Sequence, residues 1–107
     1  MPLQYADEAK QPGEVLIYSM TWTAGESMAT GDSLSGSPTA VIATYPEGVA
    51  MSSTMIKVGG EASLTDNTVY VTIILGTSGQ LYKITFGAVT TNGETVQEDL
   101  ILQVMEY

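Results

Sequence analysis

The sequence contains no cysteine, no histidine and no arginine. Lacking cysteine, it has no disulfide framework and no thiolate metal site. Lacking both cysteine and histidine, it cannot assemble Ser-His-Asp or Cys-His catalysis, or ligate a metal through imidazole. The absence of arginine removes the planar fork that grips phosphate. Positive charge is scarce altogether: Lys10, Lys57 and Lys83 stand against twelve Asp and Glu, a formal charge of −9. Each phosphate contact needs a cation, so nucleic acid is not an expected partner, and an anionic membrane surface repels the chain for the same reason. The acidic excess keeps the chain soluble or suits it to a basic protein partner.

Long apolar runs are missing as well. The longest candidate, residues 69–75, is strand-length and far short of the ~20 residues of a membrane span. The start, Met1-Pro2-Leu3-Gln4-Tyr5-Ala6-Asp7-Glu8-Ala9-Lys10, lacks the basic and apolar regions of a secretory signal. The expectation is a protein kept inside a cell, or built into something assembled there. With 107 residues there is room for one domain.

Thr and Ser are abundant, and strong helix formers such as Leu and Lys are sparse, which favours strands. Turn signals punctuate the chain at Gln11-Pro12-Gly13, Thr30-Gly31-Asp32, Tyr45-Pro46-Glu47-Gly48, Gly59-Gly60, Thr65-Asp66-Asn67, Thr77-Ser78-Gly79 and Asn92-Gly93. Short apolar runs between such signals predict an all-β sandwich or barrel of about six or seven strands.

The last third is the clearest. Tyr82, Ile84, Phe86 and Ala88 alternate with Lys83, Thr85 and Gly87, and after Asn92-Gly93 the alternation resumes with Val96, Leu100, Leu102 and Val104. This predicts a hairpin, with Asn92-Gly93 supplying the positive-φ positions of a tight turn. Glu98 falls on the inward face, near enough to the strand's start to reach solvent. Val69, Val71, Ile73 and Leu75 alternate with Tyr70, Thr72 and Ile74, so both faces are fairly apolar and the strand is central or meets a neighbour. Earlier strands are expected at residues 15–22, 38–44, 51–58 and 62–64. Residues 1–13, with Pro2 and Pro12 and no periodicity, read as an extended arm outside the core, leaving 14–107 as the domain. Residues 23–36 read as a long polar connection, a length that often carries function. Met20, Met28, Met51 and Met55 serve either as gap-fillers in the core or as adaptable contact surface.

Acid–base chemistry reduces to Asp and Glu. Asp7-Glu8 sits in the arm, and Glu98-Asp99, as neighbours in a strand, face opposite ways and cannot share a proton or flank a bond. Calcium is the one metal the composition suits, since it takes oxygen ligands. Asp32, Asp66 and Asn67 lie in loops, yet no dense Asp-x-Asp-x-Asp-Gly spacing occurs, and Asp66-Asn67 reads as a turn. Gly59-Gly60 opens no helix and makes no phosphate cradle. No catalytic, cofactor-binding or metal-ligating residue is assigned, no cofactor is expected, and the chain is not read as an enzyme.

Two aromatics carry structural information. Tyr82, following Thr77-Ser78-Gly79-Gln80-Leu81 at the head of the penultimate strand, resembles the tyrosine corner of immunoglobulin-like sandwiches, where the ring packs inside and the hydroxyl bonds to upstream backbone. Trp22, the single tryptophan, shares one alternating face with Leu16, Tyr18 and Met20 and is placed in the core.

Further segments carry a wider likeness. They are Lys10-Gln11-Pro12-Gly13-Glu14-Val15-Leu16, Tyr18 with Trp22, and Gly31-Asp32-Ser33-Leu34-Ser35-Gly36-Ser37. Gly48-Val49, Gly76-Thr77-Ser78-Gly79-Gln80-Leu81-Tyr82 and Thr90-Thr91-Asn92-Gly93-Glu94-Thr95 follow, ahead of an apolar final strand. In this order they resemble a family of small phage virion proteins with an immunoglobulin-like sandwich, described as fiber–tail adaptor or neck/tail structural proteins. Thr21 stands where the family has an acidic residue, and Glu94-Thr95 where it has an arginine, so no contact residue is carried over.

The resemblance implies an all-β, immunoglobulin-like antiparallel sandwich of about seven strands and a non-enzymatic role. It implies a virion protein, assembled in host cytoplasm, that contacts other tail, neck or fiber subunits and repeats as a homo-oligomeric ring or subunit. A virion protein needs no catalytic groups, signal or disulfides. Three other readings stay open: a capsid decoration protein, a bacterial surface immunoglobulin-like binding module, and an acidic regulatory or inhibitor protein that would bind a basic partner.

Overall fold

A computed structural model describes residues 4–6, 9–25 and 30–106. The chain is β1 (Gln4–Tyr5), β2 (Leu16–Thr21), β3 (Leu34–Tyr45), α1 (Ser52–Met55), β4 (Ser63–Thr65), β5 (Thr68–Ile73), β6 (Leu81–Thr90) and β7 (Thr95–Gln103). The strands form two sheets, in the orders β1-β7-β6-β3 and β2-β5-β4. All pairings are antiparallel except that of β1, which lies parallel along β7. Among the described residues no helix is long and apolar enough to cross a membrane.

Period-two alternation puts one face of every long strand into a shared core. β2 and β5 contribute Met20, Val69, Val71 and Ile73, while β3, β6 and β7 contribute Leu34, Ile42, Tyr82, Ile84, Phe86, Ala88, Leu100 and Leu102. Trp22, at 2% exposure, is core as expected, and Met20, Met51 and Met55 lie in or against it. Met28 lies outside the described residues. β5 is central to its sheet, with β2 and β4 on either side.

The β6–β7 hairpin forms, but its turn differs from expectation. Thr90 accepts from Gly93 N–H and donates its own N–H to the Glu94 carbonyl, the pattern of a three-residue loop. Of the loop residues only Gly93 takes a positive φ, 85°, so Asn92 is not needed in that region. Glu98 is buried at 6% exposure, opposite Phe86, rather than reaching solvent. β7 starts at Thr95, which sets Glu98 well inside the sheet.

Other expectations are corrected. Residues 51–58 are not a strand: the Met51 carbonyl accepts from Thr54 and Met55 N–H, closing the single turn α1. That turn delivers Met55 to the core and lets Ser52 Oγ accept from Ile42 N–H at 3.0 Å. The polar connection ends before 36, because β3 begins at Leu34 and absorbs Gly36-Ser37-Pro38 as a register shift between Ser35 and Thr39. Proline has no N–H to donate, so the ladder breaks there without breaking the strand. Residues 26–29 of that connection are outside the described residues.

Leu75 is not on the β5 face. It sits half-exposed with φ 60° where the chain crosses to the other sheet. Its neighbour Gly76 has φ 107°, and a Cβ there would fall 2.7 Å from Val104 Cγ2, so the crossing needs glycine.

The segment 1–13 does not stand clear of the core in its described residues. Gln4 and Tyr5 pair with Leu100 and Ile101, Ala6 N–H donates to the Ile101 carbonyl, and Lys10 bridges Val104. Leu3 and Asp7-Glu8 lie outside the described residues.

Candidate functional site

The carboxylates open to acid–base chemistry are placed apart. Glu98 points inward and Asp99 outward, as neighbours in a strand must. Asp32 is buried beside the β6–β7 turn, where its Oδ1 accepts from Ser33 N–H at 2.9 Å, Asn92 N–H at 3.3 Å and the Thr91 hydroxyl. The Thr91 bond holds the Asp32 carboxyl below its ordinary pKa, against an opposing push from burial, and further bonds lower it too. This carboxylate is a tie between the start of β3 and the hairpin turn. Asp66 occupies the β4–β5 turn with φ 53°, and Asn67 Oδ1 accepts from Leu34 N–H at 3.0 Å. Among the described residues no three acidic side chains come together.

At the opposite end of β6 lies a group that sequence reasoning missed. Lys10 has no exposed surface, and its Nζ donates to the carbonyls of Gln11 at 2.8 Å, Pro12 at 3.3 Å and Leu75 at 2.7 Å. Burial pushes its pKa below the usual lysine value, while the nearby Glu14 carboxylate pulls it back up. The signal was present in part. Gln11-Pro12-Gly13 is a turn signal, and a turn presents inward carbonyls that an ammonium can collect. Glu14 closes that turn by accepting from Gln11 N–H at 2.7 Å. Lys10 thus fastens the N-terminal segment to the 74–76 crossing.

Tyr82 sits where the corner reading put it. Its ring is buried and its hydroxyl accepts from Thr77 N–H, five residues upstream, at 2.9 Å. Tyr18, on β2, has a buried hydroxyl with no hydrogen-bond partner among the described residues. Burial, with Glu14 adding to it, pushes the Tyr18 pKa up to about 12.

What the molecule offers to others is surface. Among the described residues, shallow hollows open on the outer sheet faces. One is lined by Tyr5, Ala6, Leu81, Ile101 and Gln103, the other by Ile17, Tyr70, Thr72, Ser63, Gly60 and Glu61. Large apolar side chains stand out at Ile17 and Tyr70, which line the second hollow, and at Val15, Val41, Val49 and Val58. This geometry suits contact with other macromolecules.

Comparison with known proteins agrees with that geometry. No curated protein and no solved structure matches the chain. Residues 10–103 match the family described as Podophage GP4 fiber-tail adaptor protein gp77. The match begins at the buried Lys10 and ends with β7, so it takes in every strand except β1. The chain belongs to the podophage fiber-tail adaptor family.

Proposed function

We propose that the chain is a non-catalytic structural part of a podophage virion that joins tail and fiber components by protein–protein contact. The observation that carries this reading is the family match across residues 10–103. An acidic surface with exposed apolar side chains supports it, because such a surface binds proteins and repels nucleic acid. Assembly in host cytoplasm fits a chain without cysteine. Repetition around the tail as a homo-oligomeric ring belongs to the same proposal, since a ring presents one contact surface many times.

The fold is read here as an immunoglobulin-like sandwich of seven strands. In support, β2-β5-β4 follows the B-E-D order of such domains and β3-β6-β7 the C-F-G order. Tyr82, at the head of β6 with its hydroxyl bonded to Thr77, takes the corner position.

Production of particles without this chain tests the functional reading. The expected outcome is a filled head and tail without stably attached fibers. Normally fibered, infectious particles would overturn it.

A further inference from the structure

A sheet edge is a row of unpaired backbone groups, and proteins that must not associate blunt it with short strands, charge, proline, bulges or cover. Three of the four edges here are treated that way. β4 has only three residues. β3 carries Gly36, Pro38 and a register shift, and further along it is covered, with Thr44 N–H donating to Val49 and the Ile42 carbonyl accepting from Met51. β1, at the other edge of the β3 sheet, has only two residues; with Ala6 and Lys10 it covers the second half of β7, whose open half carries Asp99 and Gln97.

β2 has none of these devices. Its sequence, Leu-Ile-Tyr-Ser-Met-Thr, holds no charge, proline or glycine. Trp22 N–H donates to the Asn67 carbonyl in register with the β2–β5 ladder. Hydrogen-bonded residues alternate in such a ladder, so Leu16, Tyr18 and Met20 face β5, and Ile17, Ser19 and Thr21 turn N–H and C=O outward. The other side of the ladder agrees: Thr72, opposite Ile17, has its N–H on Gly60 and its carbonyl on Lys57, both away from β2. No hydrogen bond from another described residue reaches the outward backbone of β2. Beside this edge Ile17 is 68% exposed and Val15 55%, and Tyr70 lines the same hollow as Ile17.

We propose that the β2 edge receives an extended segment of a different, basic protein chain, which adds as a further strand beside Ile17, Ser19 and Thr21. Backbone bonds give such an addition its affinity, and alternate side chains give it specificity. Apolar residues of the incoming strand lie over Ile17 and the hollow beside Tyr70. Its lysines or arginines meet Glu14, ahead of β2, and Glu61, which rims the hollow and is held there by Gly59 N–H. Lys57 lies in the same turn as Glu61, and the Lys10 ammonium near Glu14 is held by its own chain's carbonyls, so the attraction comes from the acidic excess of the whole chain. A second copy does not fit this edge, because its own β2 carries no cation for Glu14 and Glu61 and its Lys10 ammonium is committed to its own chain's carbonyls; copies in a ring would touch elsewhere.

The inference rests on the adaptor reading only in making the incoming strand part of another virion protein. The test uses the full chain and a peptide of about eight residues alternating valine and lysine, as strand additions of this kind require. Binding is followed by hydrogen exchange of individual amides. The expected result is saturable binding that slows exchange at Ile17, Ser19 and Thr21, weakened at least about ten-fold by Ser19→Pro. That change removes an outward N–H and leaves the β2–β5 ladder intact. Ile17→Lys, which blocks the edge by charge, gives a second reading if Ser19→Pro unfolds. Protection at Thr95, Gln97 and Asp99 instead, equal binding of a valine–glutamate peptide, or unchanged affinity of Ile17→Lys would overturn the proposal. No particle is involved, so lost peptide binding counts against the edge alone. Fibered particles made without the chain count against the adaptor reading alone.

Discussion

Strand length separates the two sheets: β3, β6 and β7 run 12, 10 and 9 residues, whereas β2, β5 and β4 run 6, 6 and 3. The longer sheet supplies most of the core and is tied at both ends, by Lys10 near the start of β6 and Asp32 near its end. The shorter sheet gives its inner face to the same core but exposes Ile17 and Tyr70 among the serines and threonines of its outer face and leaves one edge bare. The two tyrosines repeat the contrast. Tyr82 on β6 has its hydroxyl satisfied, and Tyr18 on β2 does not. The difference teaches that closure is concentrated in one layer, which frees the other to make contacts.

The largest effect expected of this contrast is at Tyr82. Tyr82→Ala should cost about 3–5 kcal/mol in urea melts, because a large cavity opens in a packed core. A loss below about 1 kcal/mol would break the view of β6 as the centre of the fold, since that is the range of surface changes. Lys10→Met comes next, at about 1–3 kcal/mol, since it leaves buried carbonyls without a donor. With about 4–8 °C per kcal/mol for a domain of this size, the melting temperature reports it directly.

Paired Tyr→Phe changes sharpen the comparison further. Tyr82→Phe loses a made hydrogen bond and should cost about 0.5–1.5 kcal/mol, while Tyr18→Phe removes an unpartnered hydroxyl and should cost nothing measurable. Tyr18 also has a pH signature. Its pKa is held up at about 12 in the folded chain against 10.0 ordinarily, so the folded form keeps its proton longer than the unfolded one. That share of stability is complete below pH 10 and is lost as pH rises through about 12. Melts across that range should show a smaller alkaline loss in Tyr18→Phe than in the wild type. The smallest effect belongs to the exposed edge: Ile17→Ser should shift stability by no more than about 0.5 kcal/mol. A larger cost would mean that Ile17 is structural and the edge is not spare.

Much of this was legible because it was local. Alternation from Tyr82 to Val104 named the hairpin and its inner face, and a tyrosine placed after Thr77-Ser78-Gly79 named the corner. Turn glycines such as Gly93 marked where strands end. The misread parts depend on contacts distant in sequence. Nothing near Lys10 announces that the Leu75 carbonyl, 65 residues on, will take its ammonium. Ser52-Ser53-Thr54 carries no strong helix signal, and the turn forms because Met55 has a core site and Ser52 Oγ a donor to satisfy. Leu34 looked like loop because Ser35-Gly36-Ser37-Pro38 is polar, yet β6 across the ladder extends β3 over it. The bare edge of β2 is visible only once strand order is known, since the same residues in a central strand would expose nothing.

Cryo-EM of the assembled particle tests the central claim most directly, that this chain is a tail component joining fiber to tail. The account predicts density for the two-sheet domain between tail and fiber, repeated around the tail axis, with an added strand from another protein along Ile17, Ser19 and Thr21. Density for the chain on the capsid surface, or none in the particle, would contradict it.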